Sequence, residues 1–298
     1  MVMRRRALFA PLLLAPFLLG TATASAQTAA APTPLRFAVT DIVGLENLQR
    51  EWGPFQAALK ELGGFDITFF AVPNRTAAVE ALNGRRIDLV LTGPAEYVVF
   101  RVRSQAVPVV GLTRVDYYAN IVVRADRPTM TLADLKGQRV GFGAVGSTSR
   151  HLGPMQIFAD QGINPRTEIQ PVHLATNVLL ESLARGDLAA AGMNRTDFDR
   201  LRERNPGVAF RVIARGGDLP MDLILAGSHV DPAVVARLRE TLAKHSDALI
   251  RAVLQGPEEN RKFAGMHWVP TLRDEDYNVV RRMYGTIGAT QFSEFVGN

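Results

Sequence analysis

From Leu35 onward, short apolar runs alternate with stretches of helical spacing, and this alternation restricts the fold more than any other feature of the chain. Leu35–Thr40 reads as a strand. Glu46–Leu62 carries Leu48, Trp52, Phe55, Leu59 and Leu62 on one helical face. Further strands are expected at Phe65–Val72, Ile87–Leu91, Val107–Val115, Ala119–Arg124, Arg139–Phe142, Glu168–His173, Leu188–Met193, Ala209–Ala214 and Met221–Ala226. Helices are expected at Thr76–Leu82, Ser147–Gln161, Thr176–Ala184 and Thr196–Arg204, with a mostly helical tail after Asp231. A short helix at Thr131–Gly137 has Thr131 as N-cap and Asp134 closing a capping box. Alternation of this kind means an α/β fold with mainly parallel sheets flanked by helices.

A weak internal similarity suggests two lobes. Glu80–Val90 is a helix end, a glycine turn and a strand that opens just after Asp88; Glu181–Ala190 repeats the arrangement with one residue fewer, around Gly186 and Asp187. The copies fall in different halves of the chain, which favours similar units at equivalent places in two lobes over chance recurrence.

Composition excludes several classes. With 47% hydrophobic residues among 298, the chain is neither low-complexity nor collagenous and has ample material for buried cores. It has no cysteine, so disulfides, thiolate zinc sites, iron–sulfur clusters and cysteine nucleophiles are out of reach. Arg4, Arg5 and Arg6 precede an apolar run from Ala7 to Gly20, and Ala24-Ser25-Ala26 forms an A-x-A site. That pattern is an export signal over residues 1–26, because a membrane span needs roughly 20 apolar residues. Cleavage would remove three arginines, lowering the net charge of +5 to +2 and with it the case for nucleic acid. The mature protein is expected to be a soluble, periplasmic monomer.

The most informative stretch is Val140-Gly141-Phe142-Gly143-Ala144-Val145-Gly146-Ser147-Thr148-Ser149-Arg150-His151. A strand runs into a glycine turn, and three consecutive hydroxyls open a helix. The first turn of a helix presents unpaired N–H groups and the positive end of the macrodipole, so it favours an anion. One serine there would be an ordinary N-cap, but three exceed what capping needs. Arg150 supports the same reading, since a cation in a first turn opposes the dipole unless an anion is near. Gly141, Gly143 and Gly146 also fit G-x-G-x-x-G, yet the following strand ends in His173 rather than an acid, which argues against a dinucleotide. No G-x-S-x-G elbow is present, and His151, His229, His245 and His267 lack metal-ligand spacing, so neither cofactor nor metal is expected.

Asp134-Leu135-Lys136-Gly137, the strand after it, Gly146-Ser147-Thr148-Ser149 and Pro154 together resemble the signature of phosphate/phosphite/phosphonate-binding proteins of ABC importers. Trp52-Gly53-Pro54-Phe55, Gly93-Pro94-Ala95-Glu96-Tyr97, His173 ahead of Leu183 and Asp187, and Met266-His267-Trp268-Val269-Pro270 extend the resemblance over nearly the whole mature chain. It implies a type II periplasmic binding fold with two lobes, 35–120 plus 226–298 and 121–225, joined by two crossovers at Ala119–Arg124 and Met221–Ala226. It also implies that Ser147, Thr148 and Ser149 hold the phosphonate oxygens. His173, Asp197 and Asp222 match the positions of a histidine and two acids that face the cleft in aminoalkylphosphonate binders, where the acids would pair with a ligand ammonium. Thr92 stands where the family has an aromatic hydroxyl, with Tyr97 close by, and Arg150-His151 replaces a Gly-aromatic pair; Thr92, Tyr97 and Arg150 are expected at the cleft as further ligand-binding candidates. Trp52 and Trp268 are expected in the core, and the arginines at 101, 103, 200, 202 and 204 on solvated helix faces.

The function so implied is capture of a small oxyanion and its delivery to an inner-membrane permease, with domain closure and no covalent chemistry. Three alternatives stay open: a binding protein for a sulfonate, carboxylate or nitrate, a ligand-loaded partner of a membrane histidine kinase, and an exported enzyme. The last lacks any nucleophile–base pair in the sequence.

Overall fold

The computed structural model describes residues 34–294, so the expected export signal lies outside the described residues. The chain begins with β1 (Leu35–Val39), α1 (Leu45–Gly63), β2 (Ile67–Phe69), α2 (Arg75–Asn83), β3 (Leu89–Thr92), α3 (Pro94–Ser104) and β4 (Val107–Leu112). It continues through β5 (Tyr118–Arg124), β6 (Arg139–Phe142), α4 (Gly153–Asp160), β7 (Gln170–His173), α5 (Thr176–Arg185), β8 (Ala190–Asn194), α6 (Arg195–Arg204) and β9 (Phe210–Asp218). Then come β10 (Asp222–Ala226), α7 (Pro232–Lys244), α8 (Ser246–Val253), β11 (Trp268–Val269) and α9 (Asn278–Thr286).

Two sheets result, each the centre of a lobe. The first has the order β2-β1-β3-β10-β4-β11 and the second β7-β6-β8-β5-β9. β1, β2 and β3 are parallel, as are β6, β7 and β8, whereas β10 and β5 run antiparallel to their neighbours. The repeated helix–turn–strand units become α2–β3 and α5–β8, and each ends in the strand beside that antiparallel one. The internal similarity therefore marks equivalent places.

The apolar runs are continuous because both faces of each sheet are covered. Along β1, Phe37 and Val39 pack under α1, α7 and α8, while Ala38 between them faces the core shared by α2, α3 and α9. β10 divides in the same way, with Ile224 and Ala226 on one side and Leu223 and Leu225 on the other. In the second lobe Ile121 and Val123 join Phe142 and Phe158, and Val122 joins Leu179 and Leu183. Trp52 and Trp268 lie in the first of these cores, with Trp52 edge-on to Phe37 at 5.7 Å.

Three expectations change. The crossovers are not Ala119–Arg124, which lies within β5, and Met221–Ala226, which after Met221 is β10; the chain passes between sheets at residues 113–117 and returns at 219–221. Apolar runs at a crossover and in a covered strand look alike, so composition could not separate them. α3 shows in the sequence only through Arg101 and Arg103, because Pro94, Ala95, Glu96, Tyr97, Val98 and Phe100 are all buried and leave no polar stripe along its first turns. The helix at Thr131–Gly137 shrinks to one turn, Ala133–Leu135, where the Asp134 carboxylate accepts the Thr131 N–H at 2.9 Å and its hydroxyl at 3.0 Å. Thr131 thus donates to Asp134 and does not cap.

Candidate anion site between the lobes

The turn after β6 is shaped by two glycines. Gly146 has φ +85°, a conformation that side-chain-bearing residues avoid, and a Cβ on Gly143 would stand 2.6 Å from that of Arg150. The expected helix does not begin as a regular α-helix. Residues Thr148–Leu152 form a wide π-type turn, in which the Leu152 N–H donates to the Ser147 carbonyl at 2.9 Å, before α4 begins at Gly153. Pro154 explains the departure: it has no N–H for the Arg150 carbonyl, which instead accepts the Gly143 N–H at 2.8 Å. Such turns occur frequently at functional sites.

Two histidines, a buried His151 and an exposed His173, hold the turn from behind. The Gly146 N–H donates to His151 Nδ1 at 3.0 Å, and His173 Nδ1 donates to the Gly143 carbonyl at 2.9 Å. The rings meet edge to face at 4.6 Å. Burial, helped by the neighbouring His173, pushes His151 down to about 4. A histidine held below its unfolded value near 6.5 adds stability that is complete above that value and is lost as pH falls towards about 4. The residue should therefore cost up to about 3 kcal/mol between pH 7 and pH 4. Urea midpoints at pH 7, 5.5 and 4 should show a shallower pH dependence for His151→Gln, whose amide oxygen can still accept from Gly146. Identical slopes would refute this.

Ser147, Thr148, Ser149 and Arg150 line a cavity between the lobes, together with Asp222. Thr148 Oγ1 accepts the Ala95 N–H at 2.9 Å, joining the turn to the first turn of α3 in the other lobe. Ser149 Oγ accepts from Asn194 Nδ2 at 3.2 Å, and Asn194 is fixed in turn because its Oδ1 caps α6 through the Asp197 N–H. Tyr117 lines the cavity with Ser149, and burial pushes its phenol up to about 12.

The other expected residues stand elsewhere. Asp197 is buried behind the cavity and clamps the Arg150 guanidinium through bonds of 2.6 and 3.1 Å, so it faces an arginine and not the open cavity. The side-chain direction follows from the Asn194 cap, which sets the first turn of α6. Thr92 ends β3 with its hydroxyl 3.1 Å from that of Thr40. Tyr97 lies in the core against Tyr277 and donates to Asp274 Oδ1 at 2.6 Å. His173 supports the turn as described, and among the described residues it does not line the cavity.

Sequence reasoning missed most of the charged lining. Arg75, Arg114 and Lys262 reach the cavity from one side, with Asp41 and Glu96 among them. Arg75 pairs with both Asp41 and Glu96, and Lys262 Nζ donates to Asp41 at 3.0 Å. Arg114 stacks on the Tyr117 ring at 3.6 Å and lies 3.7 Å from Asp222. Burial would raise Asp41, yet the charges of Lys262, Arg75 and Arg150 carry it well below the carboxylate range. Burial raises Glu96 and Asp222 despite their arginines. Arg75 had a legible signal: it follows the Asn74 cap of α2, a cation in a first turn just as Arg150 is. Lys262 sits in the short 3₁₀ turn Glu259–Phe263 and had none.

The space between these groups is about 20 Å³. That is room for one or two waters, so a tetrahedral oxyanion enters only if the lobes part.

Residues 37–277 match the family model described as the periplasmic substrate-binding protein of phosphonate ABC transporters. The chain belongs to this family. Among solved structures it is similar to a binding protein component of an ABC phosphonate transporter from Pseudomonas aeruginosa, with 18% identity, 87% of this chain and 89% of that one covered, and a TM-score of 0.69. A Prochlorococcus marinus protein in complex with methylphosphonate gives 14% identity, coverage of 85% and 98%, and a TM-score of 0.69. The aliphatic sulphonate binding protein of Escherichia coli gives 17%, 90% and 93%, and 0.62. These likenesses establish the two-lobed type II periplasmic binding fold. As a member of the phosphonate-transporter family, the protein is a solute-binding component that works with a membrane permease.

Proposed function

We propose that this protein captures a phosphonate, phosphite or phosphate-type oxyanion on the Ser147-Thr148-Ser149 turn and releases it to its permease. The observation that carries this reading is the state of Thr148. Its oxygen already accepts the Ala95 N–H, so the hydroxyl proton is left for another acceptor. With Ser147 and Ser149 beside it and Arg114 and Arg150 in the same cavity, the chemistry suits an oxyanion rich in acceptors. Asp222 Oδ1 is buried without a hydrogen-bond partner, which makes it the acid available to a donor on the ligand, whether an ammonium or a protonated oxygen. Asp197 acts through Arg150.

Closing of the lobes is the working event, with no bond made or broken. Export with cleavage after Ala26, a monomeric mature form and no role for nucleic acid belong to the same proposal. Calorimetric titration with phosphate, phosphite and methylphosphonate, against methanesulfonate and acetate, tests it. At least one phosphorus oxyanion should bind about tenfold or more tighter than either of the others, because a second ionised oxygen adds charge-assisted bonds. Tighter binding of the sulfonate, or of the carboxylate, would overturn the reading.

A further inference from the structure

Three cations from three separate elements converge on one carboxylate. Asp41, in the turn after β1, pairs with Arg75 at the start of α2 and accepts from Lys262 Nζ at 3.0 Å. Arg150, from the other lobe, lines the same cavity beside Asp41 while paired with Asp197, and its charge helps to hold Asp41 low. Two of the three are placed against their own helices: Arg75 and Arg150 occupy first turns, where the macrodipole repels a cation. A fold keeps cations in such places when an anion offsets the cost.

The acids that now provide the offset differ in how firmly they are held. The side chain of Glu96, inside α3, is 5% exposed and that of Asp197, inside α6, 1%, whereas that of Asp41 lies in a turn and is 20% exposed. Asp41 is therefore the carboxylate that can leave its cations for water at least cost. It can do so when the lobes part, since Arg150 then moves away with its lobe.

We propose that Asp41 is a resident counter-ion on a second anion subsite, formed by Arg75, Lys262 and Arg150, and that the natural ligand carries a second anionic group which takes this place. This rests on the oxyanion reading above and narrows it to phosphonates bearing a carboxylate or another acidic group a few bonds from phosphorus. Arg150 follows Ser149 directly, so one short molecule would meet the hydroxyl turn and the cation cluster together. Its second group would bridge Arg75 and Lys262 of one lobe to Arg150 of the other, and closure would then be driven by the ligand.

The test is calorimetric titration of wild type, Lys262→Met, Lys262→Arg and Asp41→Asn with methylphosphonate and with phosphonoacetate, at one ionic strength and with melting temperatures as controls. Wild type should prefer phosphonoacetate by about tenfold or more, the gain from one added charge-assisted pair. Lys262→Met should shrink that ratio to about threefold or less, Lys262→Arg should restore much of it, and Asp41→Asn, which removes the competitor, should enlarge it. Equal affinity of wild type for the two probes, or a ratio unmoved by all three variants, would overturn the subsite while leaving the oxyanion reading intact. Wild type that binds neither probe nor any other phosphorus oxyanion would overturn that reading, and the subsite with it.

Discussion

Thr148→Val should bind phosphate, phosphite and methylphosphonate about ten- to a hundredfold more weakly than wild type. A hydrogen bond to a charged partner contributes about 1.5–3 kcal/mol, and each 1.4 kcal/mol is a factor of about ten. Valine keeps the shape of the side chain but removes both roles of the hydroxyl, the proton offered to the anion and the oxygen that accepts the Ala95 N–H across the lobes. Loss of the second role costs the closed form roughly 1–3 kcal/mol by leaving a buried donor unpaired. Thr148→Ser separates this from misfolding, because it restores both roles and gives up only a methyl group. Calorimetric titration of the two variants, with melting curves alongside, should show serine within a few-fold of wild type and valine far below it. Valine binding with wild-type affinity would mean that the hydroxyl is no more than part of the fold.

Asp274→Ala is expected to have the largest effect on stability. The carboxylate sits under α9, where it accepts the Tyr97 hydroxyl at 2.6 Å and Arg281 Nη2 at 2.6 Å, with Arg101 at 3.6 Å. Its own carbonyl accepts from Arg281 Nη1 at 2.9 Å, so the residue fastens the end of the chain to α3. Removing one partner of a buried ion pair costs about 3–5 kcal/mol, because the other charge stays buried without its match. For a chain of this size that corresponds to a drop in melting temperature of roughly 10 °C. Differential scanning calorimetry would measure it, and a drop below about 2 °C would show that α9 is held mainly by its apolar face. The consequence reaches the site, since α3 supplies the Ala95 N–H to Thr148 and the Tyr284 hydroxyl on α9 donates to the Ala95 carbonyl at 3.0 Å.

What could be read from the chain alone followed from short-range rules. Apolar runs such as Phe37–Val39 and Leu223–Ala226 are strands because each successive side chain meets a different covered face, and this needs no knowledge of the partner. The anion turn was legible for a similar reason: glycines, hydroxyls and a helix start lie within twelve consecutive residues, so the chemistry is in the local sequence. The internal repeat pointed to two lobes, and family likeness then extended the reading to a binding role.

Tertiary structure decided who pairs with whom. Asp197 and Arg150 are 47 residues apart, and Lys262 and Asp41 are 221 apart, and no periodicity links either pair. Asp197 was expected to face a ligand, but the Asn194 cap and the position of Arg150 turn it inward. Tyr97 was expected at the cleft, but α3 is buried along most of its first turns and its packing against Tyr277 directs the phenol to Asp274. A charge has no intrinsic direction along a sequence. Backbone geometry made strands, helices and the hydroxyl turn local properties of the chain, while the partner of each buried charge was settled only when two lobes brought distant residues within hydrogen-bond reach.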